Sequence, residues 1–166
     1  MRVRRAAARD LEAVVALAVE AAPERGRDAW RALLGEELAH PQRLLLLAED
    51  AGEIVGYGRA SLLHDVAGAP RGYYLTGVFV RPASRRAGVG AALTEARLQW
   101  IAERADEAWF VANARNAASI ALHGRFGFEE VTRDFAIPGV KFDGGEGILF
   151  RSRLRTLGRQ PRECKS

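Results

Sequence analysis

Two apolar rhythms alternate along this chain, one with the period of a helix and one with the period of a strand. Residues 1–6 open it as a short strand. Across 9–21, Leu11, Val14, Val15 and Ala18 fall on one helical face, with Asp10 near the start and Pro23 and Gly26 ending the run. A second helix is predicted over 28–39, with Trp30, Leu33, Leu34 and Leu38 on its apolar side. Residues 44–49 read as a buried strand on the strength of the apolar run from Leu44 to Ala48. Asp50-Ala51-Gly52 then supplies hairpin-turn chemistry leading into a strand over 53–63.

Gly68 and Pro70 mark 65–71 as a loop, and a strand follows over 73–80. Gly77 inside that strand predicts a bulge that would splay it from its neighbour. A long helix over 88–104 turns Val89, Leu93, Ala96 and Trp100 inward; a strand occupies 108–112 and a helix 116–126. Strands over 130–137 and 146–154 close the sheet across an intervening loop. The order predicts a mixed α/β sheet with helices on both faces. A chain of 166 residues is long enough for one domain with its own core. That domain is expected over 1–154, with 155–166 left as a disordered basic tail.

Charge alters this picture only at the end. The net charge of +4 and a pI near 9.8 would by themselves suggest a nucleic-acid partner. Residues 151–166, however, carry six basic side chains against Glu163 alone, so residues 1–150 sit at −1. The basic character belongs to the tail and not to a folded face, and no nucleic-acid partner is expected. Cys164, the single cysteine, also lies there; an internal disulfide is excluded, and a reducing cytoplasm is the natural compartment. His40, His64 and His123 are scattered without ligand spacing, so no metal is expected. No apolar run approaches the length of a membrane span, and Met1-Arg2-Val3-Arg4-Arg5 is unlike a signal peptide.

The candidate chemistry starts where the strand over 73–80 meets Pro82. Arg85-Arg86-Ala87-Gly88-Val89-Gly90-Ala91 follows, opening a helix. A strand that delivers a glycine-bearing loop onto a helix N-terminus is suited to holding phosphate: first-turn N–H groups point outward, and the helix dipole favours negative charge there. A Walker A loop would need Lys and Ser/Thr directly after the second glycine, and neither follows Gly90. A dinucleotide fingerprint would need Gly or Ala where Leu93 stands. The spacing that remains is Arg-x-x-Gly-x-Gly.

A second motif is Asn116-Ala117-Ala118-Ser119-Ile120-Ala121-Leu122-His123-Gly124-Arg125-Phe126-Gly127-Phe128. Asn116 is a preferred N-cap, and Gly127 with Phe128 fits a left-handed helix stop. Ala118, Ala121, Leu122 and Phe126 supply an expected core face, with Asn116, Ser119 and His123 as a polar stripe beside it. Together the two motifs, with the strand Val78-Phe79-Val80 before the first, resemble those of the GCN5-related N-acetyltransferases, the GNAT superfamily, over nearly the whole of 1–154.

The resemblance implies a mostly antiparallel central sheet flanked by helices on both faces, with acetyl-CoA as cosubstrate. Val78, Phe79 and Val80 would pair with its pantetheine amides and polarise the thioester. Arg85, Arg86, Ala87, Gly88, Val89, Gly90 and Ala91 would hold its pyrophosphate, with Asn116 and Ser119 also close to it. His123 departs from the tyrosine usual in the family; the expectation is that its imidazole protonates the departing thiolate. Thr76 stands where some relatives place a Glu base, so no base is assigned. Glu129, Glu130, Asp143 and Glu146 read as surface carboxylates. The acceptor is expected to be a primary amine of a small molecule, amino-acid-like or aminoglycoside-like. Acetylation of a protein α-amine or lysine, and a non-catalytic acyl-CoA-binding module, stay open, as does a homodimer.

Overall fold

The computed structural model describes residues 1–64, 68–142 and 144–154; Asp143 and the tail expected over 155–166 lie outside these. In chain order the elements are β1 (Arg2–Arg5), α1 (Leu11–Ala21), α2 (Arg27–Ala39), β2 (Arg43–Asp50), β3 (Glu53–Leu63), β4 (Gly72–Val80), α3 (Val89–Ala102), β5 (Glu107–Asn113), α4 (Ala117–Gly124), β6 (Glu129–Thr132) and β7 (Gly147–Arg153). The strands form one sheet, ordered β1-β2-β3-β4-β5-β7-β6, in which only β4 and β5 run parallel.

The unbroken apolar run of β2 is explained by what covers it. Leu45 and Leu47 point to one face and pack with Val14, Val15, Leu17, Trp30 and Leu34 of α1 and α2. Leu44 and Leu46 point to the other and pack with Val89, Leu93 and Ile101 of α3. Both faces are buried, so the period-two alternation of a half-exposed strand is lost. Arg4 ties the sheet edge to the first helix: its guanidinium contacts Asp10 at 2.7 Å and Glu49 at 2.6 Å. Bonding from Arg4 holds the Asp10 carboxyl at about 2, below the usual carboxylate range.

One helix face and two element ends differ from the sequence reading. The inward face of α3 includes Thr94, Arg97, Leu98 and Ile101, whereas Ala96 and Trp100 are only partly buried. Arg97 is a long polar side chain at a position where the helical period assigns an apolar one. The strand expected over 130–137 stops at Thr132, and Arg133 beyond it bonds Glu130 and Glu146 instead of extending the ladder. The α4 helix ends at Gly124, short of 126. No helix among the described residues is long and apolar enough to cross a membrane.

Candidate active site

The site follows from a single irregularity in the sheet. Along the β3–β4 ladder, Arg59 faces Gly77 but Ala60 faces Leu75, so Thr76 is an unmatched residue on β4. This is the bulge that Gly77 predicts. Beyond it β4 turns away from its parallel neighbour. The pairing with β5 comprises only Tyr74 with Trp109 and Leu75 with Phe110, and 76–80 have no strand partner on that side. An opened strand edge carries unpaired backbone donors and acceptors, a template for an extended ligand.

A cavity of about 740 Å³ occupies the gap, lined by Thr76, Gly77 and Val78 of β4, Phe110 of β5, and Asn116, Ser119 and His123 around α4. Four of the sequence-predicted residues (Val78, Asn116, Ser119 and His123) therefore meet in one space. Val80 packs on the α3 side of the sheet and Phe79 on the α1–α2 side, as strand alternation requires.

The loop residues stand apart from this cavity, at the end of the strand. Val80 leads through a 3-10 turn at Pro82–Ser84 into Arg86 (φ 65°) and Gly88 (φ 80°). Left-handed backbone at Arg86 is uncommon without glycine and costs roughly 1–2 kcal/mol. The first helical bond of α3 runs from the Ala92 N–H to the Gly88 carbonyl, so the N–H groups of Val89, Gly90 and Ala91 have no acceptor within the helix. No side chain caps them and no acidic residue lies in the first turn. A Cβ built on Gly88 would meet nothing within 4 Å, so the approach is open. Arg85, expected to reach for phosphate, instead turns back and donates from Nε to the Val80 carbonyl at 3.0 Å. It braces the loop against the strand. Ala87 is exposed and contributes backbone only.

Helix α4 is oriented differently from the expectation. Ala118 and Ala121 are exposed, Leu122 and Phe126 partly buried, and the residue turned fully inward is His123, 2% exposed. The polar stripe turns inward progressively, from exposed Asn116 through half-buried Ser119 to buried His123, while the alanine face meets solvent. The His123 ring stacks on Phe110 with centroids 4.0 Å apart and meets Phe128 edge-on at 5.6 Å. Asn116 caps the helix by accepting the Ser119 N–H at 3.1 Å.

The imidazole is neutral in this setting. Its Nδ1 lies 2.8 Å from the Ser119 carbonyl; a carbonyl only accepts, so Nδ1 carries the hydrogen and Nε2 the lone pair. Burial pushes the ring down to about 4, with the charge of Arg97 acting in the same direction. The expected role, protonation of a departing thiolate, then has to start from the neutral ring. At neutral pH Nε2 must accept a proton before it can give one.

Two buried charged groups in the cavity wall escaped the sequence reading. Glu37 of α2, 2% exposed, receives Arg59 of β3 through Nε at 2.9 Å and Nη2 at 2.5 Å. Arg97 is wholly buried; Gly58 leaves room for it, since a Cβ there would lie 3.1 Å from its Nε. Burial pulls its guanidinium down to about 9, which leaves it charged at neutral pH. The signal for both was a charge at an apolar position of a helical period, Glu37 after Trp30 and Leu34, and Arg97 after Leu93. Of the carboxylates considered as bases, Glu130 and Glu146 are bound to Arg133, and Glu129 is exposed.

The geometry has known counterparts. The model of the acetyltransferase (GNAT) family matches residues 11–128. No curated protein sequence matches the chain. Among solved structures, the aminoglycoside N-acetyltransferase AAC(6')-Iy in complex with the bisubstrate analogue CoA-S-monomethyl-acetylneamine is 27% identical; the match covers 84% of this chain and 98% of that one, with a TM-score of 0.75. Its complex with CoA is 25% identical over 84% of this chain and 100% of that one, with a TM-score of 0.69. Ribosomal-protein-alanine N-acetyltransferase from Brucella melitensis shares the fold at 24% identity, covering 93% of this chain and 100% of its own, with a TM-score of 0.73. The chain belongs to the GNAT family of acetyltransferases, and acetyl-CoA is the acyl donor of that family.

Proposed function

We propose that this GNAT N-acetyltransferase moves the acetyl group of acetyl-CoA onto the primary amine of a small molecule, by direct attack in a ternary complex. The observation that carries the reading is the joining of two features by one strand: the cavity at the β4–β5 splay and the uncapped N-terminus of α3.

In this reading the free N–H groups of Val89, Gly90 and Ala91 take the pyrophosphate, favoured by the helix dipole and by the absence of a side chain at Gly88 and Gly90. The unpaired edge at 76–80 takes the amide-bearing arm as an added strand. Backbone N–H groups near Val78 and Phe79 polarise the thioester carbonyl and receive the negative charge that develops on its oxygen. The amine nitrogen forms a bond to the acetyl carbon and the carbon–sulfur bond breaks. His123 Nε2 takes the proton shed by the nitrogen and hands it to the thiolate. The Ser119 carbonyl on Nδ1–H steadies the ring while it is charged, and the stack on Phe110 fixes its plane. With Thr76 on the strand and Glu37 engaged by Arg59, no carboxylate in the cavity wall competes for the role among the described residues.

The acceptor follows from the cavity's walls. Ile137, Pro138, Gly139 and Val140, from the segment between β6 and β7, line it together with Leu33 and Glu37 of α2. A cavity of about 740 Å³ falls in the size range of small-molecule sites, which favours a compact amine as acceptor. The test is a thiol-release assay with acetyl-CoA over a panel of amines and amino-terminal peptides, alongside the shift of melting temperature caused by acetyl-CoA. Turnover of compact amines with saturable kinetics is expected. Turnover of peptides alone would establish protein acetylation instead, and binding of acetyl-CoA with no turnover of any acceptor would leave an acyl-CoA-binding module.

A further inference from the structure

Five cationic side chains among the described residues line the acceptor cavity (Arg25, Arg43, Arg59, Arg97 and Lys141) against one carboxylate, Glu37. Their existing partners decide what that imbalance means. Glu37 is consumed by Arg59, so this pair contributes no net charge. Arg43 meets Glu36 at 3.5 Å, but Glu36 is 71% exposed and the contact is weak in solvent. Arg25 lies over the Trp30 ring at 4.8 Å, and among the described residues neither it nor the exposed Lys141 pairs with a carboxylate.

Arg97 is the deepest of these groups. Its bonds go to the Leu93, Arg59 and Gly77 carbonyls and the Thr94 hydroxyl, all neutral acceptors. Those four bonds leave one Nη2 hydrogen of the five guanidinium donors without an acceptor. The buried Thr76 hydroxyl, on the same wall, has no partner either. A buried charge without a counter-ion is costly and is kept where something supplies the counter-charge. A polycation would be repelled by this wall and an anion drawn toward it.

We propose that the acceptor of this enzyme is an amine that itself carries an anionic group, a carboxylate, phosphonate or similar, and that the cavity excludes polycationic amines. Arg25, Arg43 and Lys141 attract the anion along the cavity wall, and the buried charge of Arg97 behind that wall adds to the attraction without direct contact. This rests on the acetyl-transfer reading above and narrows its acceptor class.

The experiment compares matched amines on the full-length chain with acetyl-CoA. The probes are glutamate and aspartate with their neutral amides, 2-aminoethylphosphonate with ethanolamine, and kanamycin with spermidine as polycations. The anionic member of each matched pair should show at least a tenfold higher kcat/KM, with a KM that rises as salt screens the wall. Arg25→Gln combined with Lys141→Gln should raise that KM severalfold and narrow the preference over the neutral member. Calorimetric binding of the acidic amines to the CoA-loaded enzyme gives a readout independent of turnover. Equal use of matched pairs, preferred use of kanamycin or spermidine, or no binding of any acidic amine at millimolar concentration would overturn the proposal. If acetyl-CoA neither binds nor loses its acetyl group to any amine, it is the acetyl-transfer reading that fails.

Discussion

His123 gives its Nδ1–H to the carbonyl of Ser119, one helical turn earlier, across 2.8 Å. That bond decides the tautomer, and burial decides the charge, so the ring enters the reaction neutral with its lone pair on Nε2. In the proposed acetyl transfer this position would act as a proton relay, accepting at Nε2 before it donates.

His123→Phe should lower kcat while leaving acetyl-CoA affinity unchanged, because phenylalanine preserves the packing on Phe110 and Phe128 but has no nitrogen. Acid–base groups contribute about 100- to 10,000-fold; a thiolate leaves readily, so the loss should be about 10- to 100-fold. His123→Tyr should recover part of it. Turnover measured across pH for all three proteins is the check, and wild-type rates in His123→Phe would reduce the residue to packing.

The same ring predicts a pH dependence of stability. Its folded value, about 4, lies below the ordinary 6.5, so the unfolded chain binds the proton first. Its contribution is complete above about pH 6.5 and is lost as the pH falls toward 4, amounting to about 3 kcal/mol at most. Asp10, held at about 2 by Arg4, contributes above the ordinary carboxylate value and loses that contribution lower still, between about 4 and 2. Urea denaturation from pH 8 to 2 should show His123→Phe flattening the upper window and Asp10→Asn the lower one.

Gly88→Asp should abolish thermal protection by acetyl-CoA. The substitution puts a side chain on a left-handed backbone and a negative charge beside the free N–H groups of α3. Left-handed aspartate is tolerated better than most residues, so the fold should survive with a loss of about 1 kcal/mol. Melting curves with and without acetyl-CoA separate the two effects; full protection in the variant would place the pyrophosphate elsewhere.

Glu37→Ala should destabilise the protein by about 3–5 kcal/mol, because Arg59, 12% exposed at its side chain, is left as an uncompensated buried charge. Replacing both, Glu37→Leu with Arg59→Met, should restore most of that loss. Denaturant midpoints of the single and double variants test this, and equal losses in both would mean that the pair is not coupled.

The sequence by itself determined the element order, the strand-loop-helix unit through Gly88 and Gly90, the capped helix after Asn116 and the bulge at Gly77. Each of these is a local statement: periodicity, turn chemistry and capping act over a few residues, so they are written in consecutive positions. It also brought forward the four residues that meet in the cavity, because the family resemblance supplied their proximity. Only the tertiary structure decided which face of α4 turns inward. Alanine and histidine fit either side of a short helix until Phe110 and Phe128 provide an aromatic wall for the ring. The pairing of Glu37 with Arg59 across 22 residues, and the isolation of Arg97 among carbonyls of two strands, were equally out of reach. A charge at a core position of a helix is visible in the sequence, but whether it is neutralised depends on what a distant strand presents, and burial then fixes its strength.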